Sequence, residues 1–206
     1  MDFSLIETMR WQPGDGFLRL DQHLRRLTRS ADALGFRQPK DAKKQLAEAV
    51  SGETPLRVRL VSSFRGKIEI TATPFEPLPE DAVWRIKVAK TRMPSEDALY
   101  RHKTSRRDLY EAARAEFTRE EADEVILLNE RDEVCEGTIT NIFIEDTDGM
   151  LVTPPLTSGL LAGVLRADLI RERKARSGVL SLAKLKSRPV FVGNSLRGLI
   201  RAELVE

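Results

Sequence analysis

The sequence predicts a mixed α/β fold built as two small domains, and three observations predict it. Leu24, Leu27, Ala31 and Leu34 recur at helical spacing between Gln22 and Leu34. Leu56, Val58 and Leu60 alternate with Arg57, Arg59 and Val61, and the alternation resumes over Lys67 to Thr73 after the turn Arg65-Gly66. Between Thr91 and Leu99 no period is clear, and Pro94, Ser95 and two acids occupy the stretch. A linker is therefore placed at residues 94–100, between a small N-terminal α/β domain (1–93) and a larger C-terminal domain (101–206). Ligand sites favour such interfaces, which places the expected active site between the two domains.

In chain order, Ser4 to Trp11 reads as a strand. Pro13-Gly14-Asp15-Gly16 turns it back into Phe17 to Leu20. Asp21 is the expected N-cap of the helix Gln22 to Leu34, and Gly35 its stop. A second helix covers about Asp41 to Val50. Pro74, Pro77 and Pro79 interrupt regular structure ahead of a strand from Trp84 to Ala89. Leu109, Ala113 and Phe117 mark an amphipathic helix, followed by a strand from Glu124 to Leu128. Glu136 then opens a strand through GTITNIFI, rich in β-branched residues, which turns at Asp146 to Gly149 into Leu151-Val152-Thr153. Gly163 introduces a helix from Val164 to Arg173, and Pro189 to Gly193 is a short buried strand.

Composition narrows the function classes. The 206 residues are 41% hydrophobic and 32% charged, ordinary for a globular protein, and suffice to bury a core. The net charge of +2 is too small to imply nucleic-acid binding. No apolar run approaches the ~20 residues of a membrane span, and MDFSLIETMRW has no signal-peptide pattern. One cysteine and two histidines leave no internal disulfide and argue against a metal site. Cys135 reads as a small buried side chain, and a cytoplasmic location is expected.

The stretch from Tyr100 to Ile144 organises the rest. It presents a lysine, Lys103, ahead of the amphipathic helix, and a carboxylate, Glu136, after the following strand. Taken alone, the pair reads first as a solvated lysine and a surface glutamate. His102, next to the lysine, would face the opposite way on an extended chain and reads as packing or surface.

Whole motifs say more. HKTSRR-x-x-Y, EVILLN-x-x-x-x-V-x-EGTITNIFI and TPPLTSGLLAGVLR together resemble the class IV aminotransferase family, the fold-type IV enzymes that use pyridoxal 5'-phosphate (PLP). Within it the wording is most similar to the aminodeoxychorismate lyases. The resemblance implies that Lys103 forms a Schiff base with the cofactor and that Glu136 keeps the pyridine nitrogen protonated. It further implies that Arg26, in HLRRL, contacts the cofactor phosphate. The other implied phosphate contacts are the amides of Val164 and Leu165 at a helix N-terminus, and Ser195 in NSLRG. Asn141 is implied as a further cofactor-binding residue. At Leu165 the family's usual threonine hydroxyl is missing, which predicts looser PLP binding. Relatives also carry a segment ahead of the strand matching LIET, so a lid or dimer contact is expected to be absent. A homodimer and a small-molecule amino substrate are implied as well.

The resemblance implies that Lys103 and Glu136 would serve elimination of pyruvate from aminodeoxychorismate, which yields 4-aminobenzoate for folate synthesis, and amino transfer equally. HKTSRR-x-x-Y and NSLRG lean toward the lyase branch over branched-chain or D-amino-acid aminotransferases. Arg106, Arg107 and Arg197 would suit a dicarboxylate substrate, or are surface residues. PLP binding without turnover is a third reading.

Overall fold

The computed structural model describes residues 2–206 and divides the chain into two compact units. Residues up to Pro77 form the first, together with His102–Arg106; Leu78–Arg101 and Arg107–Glu206 form the second. The division falls earlier than the expected linker, and the chain crosses it more than once. The segment around Lys103 falls with the first unit in this division.

The first unit is a four-stranded antiparallel sheet with two helices. Its strands are β1 (Leu5–Gln12), β2 (Gly16–Phe17), β3 (Leu56–Ser62) and β4 (Ile68–Pro74), in the order β2-β1-β3-β4. The helices are α1 (Leu20–Leu34) and α2 (Ala42–Glu48). Leu5, Met9, Leu27, Ala31, Leu46, Val58 and Leu60 are buried together as its core. Helix α1 starts earlier than expected. Its N-cap position is Arg19, in the left-handed region at φ 58°, so Asp21 lies inside the first turn, where its charge suits the helix dipole. Gly35 ends the helix at φ 70°, with its N–H on the Ala31 and Asp32 carbonyls.

Eight strands make the second unit's mixed sheet. They are β5 (Val83–Met93), β6 (Glu124–Asn129), β7 (Val134–Gly137), β8 (Asn141–Glu145), β9 (Leu151–Thr153), β10 (Ala175–Ser177), β11 (Val190–Asn194) and β12 (Gly198–Leu204). Their order is β10-β9-β8-β11-β12-β5-β6-β7, with β5 parallel to both β6 and β12. The helices are α3 (Asp108–Arg114), α4 (Val164–Arg171) and α5 (Leu182–Ser187). Strand β5 continues past the expected end at Ala89 to Met93, because Ala89 and Met93 are buried with Val125 and Leu127. Helix α3 stops at Arg114, and Phe117 packs on the same cluster from beyond its end.

The single strand expected from Glu136 onward is two. Glu136 is the third residue of β7, which pairs with β6, while β8 pairs with β9 and β11. Glu124 explains the break. Its buried carboxylate accepts the backbone N–H of Val125, Thr138 and Ile139 and the hydroxyls of Thr138 and Thr140. A Cβ on Gly137 would overlap Thr140 Oγ1 and crowd that carboxylate, so glycine is required where the chain turns out of β7. Periodicity missed β10, α5 and β12, and α4 ends two residues before Arg173. Among the described residues, no helix is long and apolar enough to cross a membrane, and no group of three or more His, Cys, Asp or Glu could hold a metal.

Candidate active site

In the first unit, backbone pairing fixes the lysine's place. The Lys103 carbonyl accepts the N–H of Ile6 at 2.9 Å, and Ser105 N–H donates to the Ser4 carbonyl at 2.8 Å. Ser4 N–H in turn reaches Ser105 Oγ at 2.9 Å. Residues 103–105 thus run along the start of β1, which holds the lysine's main chain against that strand. His102 lies within this unit too, its Nδ1 2.9 Å from Ser30 Oγ on α1.

One residue beyond Ile6 on β1 is Glu7, which is 1% exposed and which the sequence reading passed over. Arg26 on α1 grips it with both ends of the guanidinium: Nε donates to Oε1 at 2.8 Å and a terminal nitrogen to Oε2 at 2.6 Å. His23 Nδ1 lies 2.6 Å from the same Oε2. Burial pushes the Glu7 carboxyl up, but the Arg26 charge, the Arg26 hydrogen bonds and His23 outweigh it and hold the group at about 2. Burial lowers the His23 imidazole in spite of the pull from Glu7, and the charges of Arg26 and Lys103 add to the lowering. At neutral pH His23 is therefore a neutral donor to an ionised Glu7. The residue expected to meet a phosphate is thus anchored by a carboxylate. Three residues apart on α1, His23 and Arg26 share a face, a spacing visible in the sequence; the matching acid on β1 had no local signal.

In the second unit, Glu136 is 3% exposed and takes hydrogen bonds from three sides. The Tyr110 hydroxyl donates to Oε1 at 2.6 Å and the Leu161 N–H to the same oxygen at 3.1 Å. Asn141 Nδ2 approaches Oε2 at 3.3 Å, and it also donates to the Leu161 carbonyl at 3.0 Å. Donors gathered on a buried carboxylate favour its ionised form. Burial pushes the Tyr110 hydroxyl well above the ordinary phenol range, and the charge of Glu136 pushes it further, so the phenol remains a donor. Tyr110 stands in the HKTSRR-x-x-Y motif without a role that sequence could assign.

Around this pair, Arg107 stacks on the Tyr110 ring at 4.8 Å and donates to the Thr138 carbonyl at 2.6 Å. Asn141 also explains Gly163, since a Cβ there would overlap Asn141 Oδ1. Gly163 is the N-cap of α4, so the amides of Val164 and Leu165 lie in the helix's first turn, where N–H groups have no intrahelical acceptor. The Leu165 side chain has been put to another use: it is buried with Phe143, Leu169 and Ala175. Ser195, 6% exposed, sits in the turn between β11 and β12. The Asn194 side chain closes that turn, accepting the N–H of Leu196 and Arg197 and donating to the Ile139 carbonyl. Arg197 stacks over Trp84 at 5.7 Å. The second unit therefore gathers Tyr110, Glu136, Asn141 and the Leu161 amide, with Arg107 against Tyr110. Lys103 and Arg26 belong to the first.

Comparison with known proteins supplies the family. The family model described as amino-transferase class IV matches residues 4–205. A crystal structure from Mesorhizobium loti, provisionally named an amino-acid aminotransferase, is 53% identical, with a TM-score of 0.96 over 99% of this chain and 100% of that one. A Schizosaccharomyces pombe protein, provisionally named aminodeoxychorismate lyase, is 29% identical over 98% of this chain and 90% of its own length. A Thermotoga maritima protein, named with similar reserve a branched-chain-amino-acid aminotransferase, is 29% identical over 85% of this chain and 68% of its own. The mixed α/β architecture matches fold-type IV aminotransferase structures.

This family works with PLP, and the donor chemistry of the second unit fits that group. A buried, donor-stabilised carboxylate is the partner a protonated pyridine needs, and first-turn helix amides suit a phosphate. The chain belongs to the class IV aminotransferases and is a PLP-dependent enzyme, a lyase or an aminotransferase.

Proposed function

We propose that the chain is a 4-amino-4-deoxychorismate lyase, eliminating pyruvate to leave 4-aminobenzoate for folate synthesis. The observation that supports it is Arg107, whose guanidinium is immobilised between the Tyr110 ring and the Thr138 carbonyl, beside the Glu136 cluster. A fixed planar cation beside that cluster suits a substrate carrying more than one carboxylate. Arg197, stacked on Trp84, is the second candidate for that role.

In this reading Lys103 would hold PLP through its side-chain amine. The Lys103 amine would also act as the general base that takes the substrate's α-proton. Glu136 would keep a proton on the ring nitrogen. Arg26, the Val164 and Leu165 amides and Ser195 would hold the phosphate, and Asn141 ties Glu136 to the Leu161 carbonyl ahead of α4. When bound, PLP supplies the electron sink for the pair left by proton removal. The active enzyme is a homodimer.

Amino transfer is the second reading, supported by the 53% identical Mesorhizobium loti protein and its name. Incubation with 4-amino-4-deoxychorismate, followed by separate assays of pyruvate and 4-aminobenzoate, tests the lyase. Keto-acid formation from branched-chain or D-amino acids in the absence of pyruvate release would replace it with the transferase. Lys103→Ala is expected to abolish turnover and the visible absorption of lysine-bound PLP together. Bound PLP with neither product would leave a binding protein.

A further inference from the structure

We propose that Tyr110 is a positioning residue for Glu136: its hydroxyl fixes one carboxylate oxygen so that the other is presented to the cofactor's ring nitrogen as an anion. The inference rests on the reading that Glu136 meets that nitrogen. It adds a residue to that reading, and one that does not itself touch the cofactor.

Tyr110 makes a short bond to the carboxylate. Oε1 takes the short Tyr110 bond, 2.6 Å, and the Leu161 N–H at 3.1 Å, while Oε2 carries the longer contact with Asn141. A phenol donating to a carboxylate lowers the carboxylate's proton affinity. When two groups share one proton in a buried site, a donor on the carboxylate biases that proton toward the partner. Here the partner is the ring nitrogen, and a protonated ring is the state that accepts electrons. Tyr110 is itself well held. Its ring packs with Ala113, Val125, Leu127 and Cys135, meets Tyr100 edge-on at 5.8 Å, and lies under the Arg107 guanidinium. Burial keeps the phenol protonated across the pH range in which an enzyme works, so the donor does not switch off. Since the hydroxyl is aimed by the α3 backbone and by this packing, the carboxylate inherits the rigidity of the helix.

The test uses Tyr110→Phe, which deletes the hydroxyl and keeps the ring, the Arg107 stacking and the apolar contacts. PLP affinity is read from the visible absorbance of the titrated protein. The pH midpoint of that band is then measured on the loaded enzyme, beside Glu136→Gln and wild type. The expected result is PLP binding weakened at least fivefold and a midpoint moved by half a unit or more, in the direction seen for Glu136→Gln. A second measurement avoids dependence on one variant. The chain has two tyrosines, so fluorotyrosine placed in a Tyr100→Phe background reports on Tyr110 alone. Fluorination makes the phenol a stronger donor, and the midpoint is expected to move the opposite way. A role confined to packing would lower the melting temperature and leave both midpoints in place. If Glu136→Gln shifts the band while Tyr110→Phe and the fluorotyrosine protein match their controls, the inference about Tyr110 is overturned and the reading of Glu136 stands. If Glu136→Gln changes nothing either, both fall.

Discussion

Glu7→Gln is the substitution whose cost the structure specifies most closely. It keeps the shape of the side chain and removes a charge that is 1% exposed and gripped at both oxygens by Arg26. The native carboxyl titrates at about 2 against an ordinary 4.5. Since the folded value is depressed, the stabilisation is present above the unfolded value and lost as the pH falls through the folded one. A gap of that size corresponds to about 3 kcal/mol at pH 7, at roughly 1.4 kcal/mol per unit. By pH 3.5 the contribution has shrunk to roughly 2 kcal/mol, and near pH 2 to a few tenths of a kcal/mol. Glutamine also removes the negative charge that the Arg26 guanidinium grips, which acts in the same direction. Urea unfolding of both proteins at pH 7, 5 and 3.5, followed by circular dichroism, gives the difference directly. The expectation is a gap of about 3 kcal/mol at pH 7 and 5 that narrows at pH 3.5. A loss below about 1 kcal/mol at pH 7, the size of a surface ion pair, would refute the reasoning, as would a gap that does not change with pH.

Further expectations follow from the same structure. Glu124→Gln replaces a carboxylate that accepts five hydrogen bonds with an amide that must point a donor at donors. It is expected to cost about 3 kcal/mol, seen calorimetrically as a melting point lower by about 6–12 °C; a drop under about 3 °C would count against the staple. Leu165→Thr supplies the hydroxyl that the family resemblance leads one to expect there, but takes apolar volume from the cluster with Phe143, Leu169 and Ala175. It should lose about 2–4 kcal/mol of stability while tightening PLP severalfold by equilibrium titration; unchanged affinity would mean that the hydroxyl has no acceptor there.

Much of this protein was readable in the residue order. The stripe on α1, the hairpin β3–β4, the buried run of β6 and the turn before β9 all follow from local periodicity and turn chemistry, which neighbours in sequence determine. The family, too, was legible from motifs, because HKTSRR-x-x-Y and EGTITNIFI keep their spacing. Tertiary contacts decided what periodicity could not. GTITNIFI reads as one β-branched strand, and a carboxylate on the preceding strand, Glu124, breaks it into two. Leu165 reads as a missing phosphate ligand, and packing against Phe143 makes it core. Arg26 reads as a phosphate contact, and Glu7, nineteen positions away on another element, determines how its guanidinium lies. Tyr110 was in plain view in a motif and had no role until the fold brought Glu136 to its hydroxyl. Local pattern reports which face of an element is apolar. It carries no record of which distant polar atom will meet a buried charge, and desolvation makes that pairing the condition on which the charge can be buried at all.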